Sequence, residues 1–371
     1  MARKKKNRVK SGDFVLTILV LALVVFGVIM VFSSSYYSAI NDTGDPYSYL
    51  KKDIIWALLG LGAMLFCAMF DYRIYAKAAP TILIVSIVLL GLLFTPLGVT
   101  RNYATRWIGV GEFTIMPGEV AKIAAIIFVA WYLSKDPRRI KSFTRGILPL
   151  LGLCGLYFGL IILQPNLSTA ITICGIIIGI MFVAGLNILY LVGIVGLGAA
   201  GVTVLILTDE DGYRLKRLTS FLDPFQDPLG DGYQVIQSLL ALGSGGIFGV
   251  GLGKSIQKTL YLPEPQNDFI FAIIGEELGY IGCLTLIAVY IVLIWRGIHI
   301  ALNAPDMFGT LLASGITIML ALQVVLNIAV VTSSMPPTGI TLPFVSYGGN
   351  ALILFMGCMG ILLNISRHSA R

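Results

Sequence analysis

In the stretch YLPEPQNDFIFAIIGEELG (261–279), one carboxylate stands where an apolar run begins. Asp268 follows Pro263 and Pro265, which stiffen the approach to it. At such a boundary a carboxylate can cap a helix with the help of the helix dipole. It can equally serve as a base, because partial desolvation favours taking up a proton; the residue types leave both readings open. Upstream, in RNYATRWIGVGEFTIMPGEVAKIAAI (101–126), Glu119 and Lys122 are three residues apart, neighbours on one helical face. Ionisable residues within an apolar span are costly unless paired or wetted, so these two are a functional pair or an ion pair that holds the bundle. Trp107 beside Arg106 reads on physics as an interfacial belt residue. Between these segments, YRLKRLTSFLDPFQDPLGDGYQVIQSLLALGSGG (213–246) sets Arg214, Lys216 and Arg217 ahead of Asp223, Asp227 and Asp231. A mixed, solvated surface is the plain reading. Separated clusters of both signs also suit a substrate that is anionic at one end and must lose a proton at the other.

The run GSGGIFGVGLGKS (243–255) ends in Gly253-Lys254-Ser255 and invites a nucleotide-binding reading. A P-loop needs four residues between its first glycine and the Gly-Lys-Ser. The required position is Phe248, and Gly249 is one residue too close. The glycines read instead as places where backbone packs closely or turns against helices.

The composition says which elements must hold this chemistry. Of 371 residues, 57% are hydrophobic and 12% charged, about half the ~25% charge of soluble domains. Ten apolar stretches can cross a ~30 Å hydrocarbon core as helices of roughly 20 residues: 13–33, 53–70, 75–96, 118–134, 146–163, 167–184, 190–207, 269–294, 306–331 and 347–366. The expected fold class is therefore all-α, a polytopic integral membrane protein. A basic tail covers 1–12, one membrane domain 13–366 and a short tail 367–371, with a large outer loop over 208–268 between the seventh and eighth helices. With both termini cytoplasmic, the inner segments carry 16 Lys and Arg against 9 in the outer ones, the bias that sets orientation. The net charge of +7 is then topological. A nucleic-acid partner, which needs that charge gathered on one soluble face, is excluded. The start RKKKNRVK ahead of a full span reads as a retained signal-anchor. Cys67, Cys154, Cys174, Cys283 and Cys358 all fall in spans and read as packing residues, not disulfide or metal ligands.

In this order, RWIGVGEFTIMPGEVAK, QPNLSTA, YRLKRLTSFLDPFQDPLGDGYQVIQSL, GLGKSIQKTLYLPEPQNDFIFAIIGEELG and TGITLPFVSYGG resemble the SEDS family of polytopic membrane proteins (shape, elongation, division and sporulation). The resemblance covers nearly the whole chain. GKSIQKTLYLPEPQ and LLNISRHS bring it nearer the division and sporulation branch, FtsW and SpoVE, than the elongation branch, RodA. It implies ten transmembrane helices and a peptidoglycan glycosyltransferase that polymerises lipid II, for division or spore cortex, at the outer face of the cytoplasmic membrane. It implies Asp268 as the catalytic residue. Trp107, Arg106, Glu119 and Lys122 would bind substrate, as would Arg214, Arg217, Glu264, Ser346 and Tyr347. The partners it implies are lipid II, a class B penicillin-binding protein and other division or sporulation membrane proteins; a divalent cation, Mg or Mn, is the one cofactor it admits. Three departures from the family pattern stand out: Met116 and Gly118 around Pro117, Asn166 where a carboxylate is usual, and Asn350-Ala351 where two serines are usual.

The implied reaction moves a sugar from a pyrophosphate carrier to the 4-hydroxyl of an acceptor sugar, with inversion. Asp268 would be the general base. Lys122, Arg106, Arg214 and Arg217, or a divalent metal, would neutralise the departing pyrophosphate. Two other functions fit the same chain: a lipid II flippase, which would call for midplane charge and internal repeats, and a non-enzymatic scaffold for division or sporulation. No repeat is visible, and the polar motifs gather on one face.

Overall fold

The computed structural model describes residues 12–101, 104–110, 113–208, 213–230 and 232–369. The ten apolar stretches form ten helices: α1 (Phe14–Thr43), α2 (Ser48–Met69), α3 (Arg73–Leu92), α4 (Pro117–Ser134), α5 (Leu148–Ile162), α6 (Leu167–Val183), α7 (Ile188–Leu207), α10 (Ile270–Leu302), α11 (Met307–Val331) and α12 (Gly349–His368). Among the described residues nine are long and apolar enough to cross a membrane, α5 together with the helical turn Phe143–Ile147 that leads into it. The tenth, α6, has 17 residues, near the lower limit of ~17 for a span.

Local sequence sets where the helices start and stop. Asp13 caps α1 by accepting the Leu16 N–H at 3.0 Å, and Gly44 ends it in the left-handed conformation at φ 72°. Pro117 opens α4, where its missing N–H costs nothing. Asp306 caps α11 through the Gly309 N–H at 2.8 Å.

Short connections meet at one end of the bundle. There the Asp13 N–H donates to the Ser366 hydroxyl (3.0 Å), the Tyr72 N–H to the Asn364 side-chain oxygen (2.9 Å) and the Ser369 hydroxyl to the Asn303 carbonyl (2.8 Å). The longer connections meet at the opposite end. The Asn350 amide donates to the Thr114 carbonyl (2.7 Å), the Ser238 hydroxyl to the Val331 carbonyl (2.8 Å) and the Tyr347 N–H to the Gln266 carbonyl (2.9 Å). Every sequence-predicted site residue belongs to this second end.

The structure differs from the expected elements in three places. The connection over 97–117, left between the third and fourth expected spans, carries a small antiparallel sheet of β1 (Gly98–Arg101), β2 (Ala104–Val110) and β3 (Phe113–Ile115), in the order β1-β2-β3. Val99 pairs with Trp107, and Ile108 with Ile115. The loop over 208–268, expected on the outer side, contains two helices, α8 (Tyr213–Leu222) and α9 (Tyr233–Ser244). The eighth span, expected over 269–294, runs on to Leu302 and is broken at Gly279, whose φ of 68° and ψ of −169° are not helical.

Candidate active site

Asp268 lies in the turn ahead of α10 and is partly buried. The cap position of α10 belongs to Phe269, so Asp268 stands one residue outside the place of a capping carboxylate. Its Oδ2 is 3.4 Å from where a Cβ on Gly339 would stand. The Asn327 amide on α11 holds the two segments together, donating to the Asp268 carbonyl at 2.8 Å and the Ile340 carbonyl at 2.7 Å. The Tyr347 N–H ties the same turn down through Gln266. Its ring packs edge-on against Tyr49, with centroids 5.0 Å apart.

On α4 the Lys122 ammonium donates to Glu119 at 2.7 Å. Lys122 is 3% exposed, and the Phe355 ring lies 6.0 Å from its charge. The first turn of α4 packs on that of α6, where Thr169 Cγ2 comes within 3.1 Å of a Cβ placed on Gly118. Asn166 caps α6 with its amide oxygen, accepting the Thr169 N–H at 3.3 Å; an amide in place of a carboxylate suffices for that bond. The Ser168 hydroxyl then reaches the Thr338 carbonyl at 2.8 Å, one residue from Gly339. The Glu119–Lys122 turn is thus a neighbour of the start of α6, and α6 is bonded to the 338–340 segment that Asn327 ties to Asp268.

Strand alternation puts Arg106 and Ile108 on one face of β2 and Trp107 on the other. Ile108 packs on the core, and an Arg106 guanidinium nitrogen donates to the Pro165 carbonyl at 2.5 Å, beside the cap of α6. Glu264 is exposed in the Asp268 turn and accepts from the Asn267 amide. Ser346 is turned to the protein's own backbone, its hydroxyl accepting the Leu342 N–H at 2.8 Å. Arg214 and Arg217 stand on α8, and their side chains lie outside the described residues, as does Asp231. Among the described residues no three His, Cys, Asp or Glu side chains gather as metal ligands.

The Gly-Lys-Ser run does wrap an anion, but one belonging to the protein. The Ser255 hydroxyl and the N–H groups of Ile256 (2.8 Å) and Gln257 (3.3 Å) donate to the Glu276 carboxylate. Lys258, counted above with the outer-segment cations, is 2% exposed and pairs with Glu277 at 2.7 Å. The Ser33 hydroxyl bridges both Glu277 oxygens at 2.7 and 2.8 Å and accepts from Lys258 at 3.0 Å. The break at Gly279 frees backbone groups, and the loop takes them up. Glu276 and Glu277 carbonyls accept from Val250 (2.9 Å) and Gly251 (3.0 Å), while Tyr280 and Ile281 donate to Gly246 (2.9 Å) and Ile247 (3.2 Å). A Cβ on Gly249 would stand 2.2 Å from the Glu277 carbonyl oxygen, which is why the loop can lie this close. Sequence reasoning did not identify this clasp. Its signal was the pair of adjacent glutamates deep in an apolar run, which had to find partners.

The sequence and the fold match known proteins along almost their full length. The chain is 46% identical over 360 residues to stage V sporulation protein E of Bacillus subtilis, covering 97% of this chain and 98% of that protein. It is 39% identical over 361 residues to a probable peptidoglycan glycosyltransferase FtsW of a Geobacter species, covering 97% and 98%. Among solved structures it resembles a chain of a peptidoglycan synthase complex with a TM-score of 0.80 at 30% identity, covering 97% and 99%. The rod shape determining protein RodA of Thermus thermophilus is similar with a TM-score of 0.71 at 28% identity, covering 97% and 98%. The family model of FtsW, RodA and SpoVE cell cycle proteins spans residues 14–371. With that match and these apolar helices, the chain belongs to the FtsW/RodA/SpoVE family and is a multi-pass protein of the bacterial cytoplasmic membrane.

Proposed function

We propose that this protein is a peptidoglycan glycosyltransferase that polymerises lipid II into glycan strands, with the Asp268 end of the bundle facing outward. The excess of Lys and Arg at the opposite end supports that orientation. The observation that carries the reading is that the Glu119–Lys122 turn neighbours the start of α6, which is bonded to the 338–340 segment that Asn327 ties to Asp268. Such an arrangement sets a base and a fixed cation at one end of the bundle, as an inverting transfer from a pyrophosphate donor requires.

In this mechanism Asp268 takes the proton of the acceptor's 4-hydroxyl as that oxygen bonds to the donor's anomeric carbon. The bond to pyrophosphate breaks on the opposite side. Lys122, held in orientation by Glu119, and Arg106 offset the charge that develops on the leaving group. A divalent cation, Mg or Mn, would bind pyrophosphate with the help of one or two protein carboxylates and waters; Glu264 is the carboxylate at this turn that could hold it while Asp268 stays free as the base. The undecaprenyl tails stay in lipid against the apolar helix faces. A class B penicillin-binding protein as membrane partner is part of the same reading, supported by the likeness to a chain of a synthase complex.

The test is purified protein, with and without a class B partner, incubated with labelled lipid II and scored for glycan strands. Asp268→Asn should cut the rate by about 10²–10⁴-fold. A folded Asp268→Asn protein that polymerises normally removes the base assignment. Wild-type protein that forms no strands with its partner present favours a scaffold, and lipid II movement across vesicles without polymerisation favours a flippase.

A further inference from the structure

We propose that residues 255–258 are positioning residues for the reaction: by clasping Glu276 and Glu277 they fix the short helix 270–278 and, through it, the reacting carboxylate of Asp268. This rests on the assignment of Asp268 as the base.

Three observations carry it. First, 270–278 is cut off from the rest of α10 at Gly279, so helix continuity does not set its pose. Second, the Lys258–Glu277 pair closes a loop between residues 19 apart in sequence, and Asp268 is near its middle. Both strands leading from Asp268 therefore end in the same clasp. On one side the Leu262 N–H is bonded to the Gln257 carbonyl at 2.8 Å and Leu262 is buried; on the other, helix 270–278 carries Glu276 and Glu277. Third, the clasp is buried and charged, so it has one low-energy pairing. Lys258 and Glu277 are 2% and 0% exposed, and Glu276 at 1% is met by three donors from residues 255–257. Slackening it would leave a buried charge unpaired, which is strongly unfavourable.

The experiment compares Lys258→Met, Glu277→Gln, the two together, and Lys258→Arg, each normalised to folded protein by size exclusion and thermal unfolding. Either single neutralisation should lower kcat for lipid II polymerisation by about 10- to 100-fold, with KM nearly unchanged, because binding survives while alignment is lost. The double variant and Lys258→Arg should each recover most of the loss, since neither leaves an unpaired buried charge. A second readout needs no turnover: a cysteine is placed by Asp268→Cys, and its maleimide labelling rate is compared with and without Lys258→Met, with the native Asp268 chain as background. The rate should change severalfold when the clasp is broken. Folded single variants with wild-type kcat and unaltered labelling at 268 overturn the proposal, as does activity that falls only in step with folded protein. If the wild-type chain proves not to polymerise at all, labelling alone decides: a change supports the positioning role, and an unchanged rate overturns it.

Discussion

Asn327 and Asp268 are joined backwards from what a catalytic contact would suggest: the amide of Asn327 holds the main-chain carbonyl of Asp268, not its carboxylate. The same nitrogen reaches the Ile340 carbonyl, so one buried side chain aligns the aspartate turn with the loop that carries Gly339. Asn327 is 1% exposed. Its replacement by alanine strips two part-buried carbonyls of their donor, at up to about 1–3 kcal/mol for each group that water does not reach. Asn327→Ala should lower the unfolding temperature and the polymerisation rate together. Asn327→Asp should be worse, since it would turn an acceptor toward two acceptors. Thermal unfolding in detergent with parallel turnover checks this, and an Asn327→Asp protein as stable as wild type would refute it.

The Glu119–Lys122 pair allows structure and chemistry to be separated. Removing one partner of a buried pair strands a charge and typically costs 3–5 kcal/mol. Lys122→Met alone should therefore lose both stability and activity. Lys122→Met combined with Glu119→Gln should regain most of the stability, because neither charge remains. Turnover should stay low in the double variant if the Lys122 charge is needed at the leaving group. A double variant that recovers turnover along with stability would reduce the pair to a helix-packing role.

How far the sequence reveals this design depends on the range of the interaction. Apolar length alone locates all ten long helices, nine of which can span a membrane, because the bilayer admits few other uses of such runs. The aspartate turn and the Glu119–Lys122 spacing are visible because local pattern encodes them. The sheet over 98–115 left only a weak local sign, the β-branched and aromatic residues of VTR, ATRWIGV and FTI, and the stretch reads easily as a loop. The break at Gly279 left almost none: IIGEELGYIG, with three spaced glycines, looks like continuous helix, and single glycines within such a pattern are tolerated. What makes the break affordable is pairing with residues 246–251, a partner no local pattern announces. Lys258 looks like one more loop cation until Ser33 and Glu277 are brought to it.

Asp306 gives a pH signature at the other end of the bundle. Burial works to raise its carboxyl, but bonds from the Tyr72 hydroxyl (2.5 Å), the Gly309 N–H (2.8 Å) and Arg73 (3.2 Å) outweigh it and hold the group below its ordinary value. A carboxylate depressed in the folded state contributes its stability above the unfolded value, near ~4. That contribution is lost as pH falls through the folded value. Asp306→Asn keeps an oxygen for the Gly309 N–H and loses only the charge facing Arg73 and Tyr72, so it should cost under about 1 kcal/mol at pH 7, the worth of a partly exposed pair. Its gap from wild type should narrow when unfolding is followed below pH ~4. A gap that stays constant from pH 7 to 3 would show that the carboxylate's charge contributes nothing.

Gly279 is the last position where one atom should decide the outcome. Its φ of 68° and ψ of −169° fall in a region open essentially to glycine alone. A Cβ there would also stand 2.3 Å from the Gly249 nitrogen. Strain of about 1–3 kcal/mol adds to a backbone clash that the 246–251 pairing cannot relieve without opening. Gly279→Ala should therefore cut both the folded yield and polymerisation. Gly193→Ala on α7 is the control, since nothing lies within 4 Å of its would-be Cβ. That change should be neutral or stabilise slightly through helix propensity. Equal unfolding temperatures for the two alanine variants would mean that the helix break, and the clasp that depends on it, are not part of the folded protein.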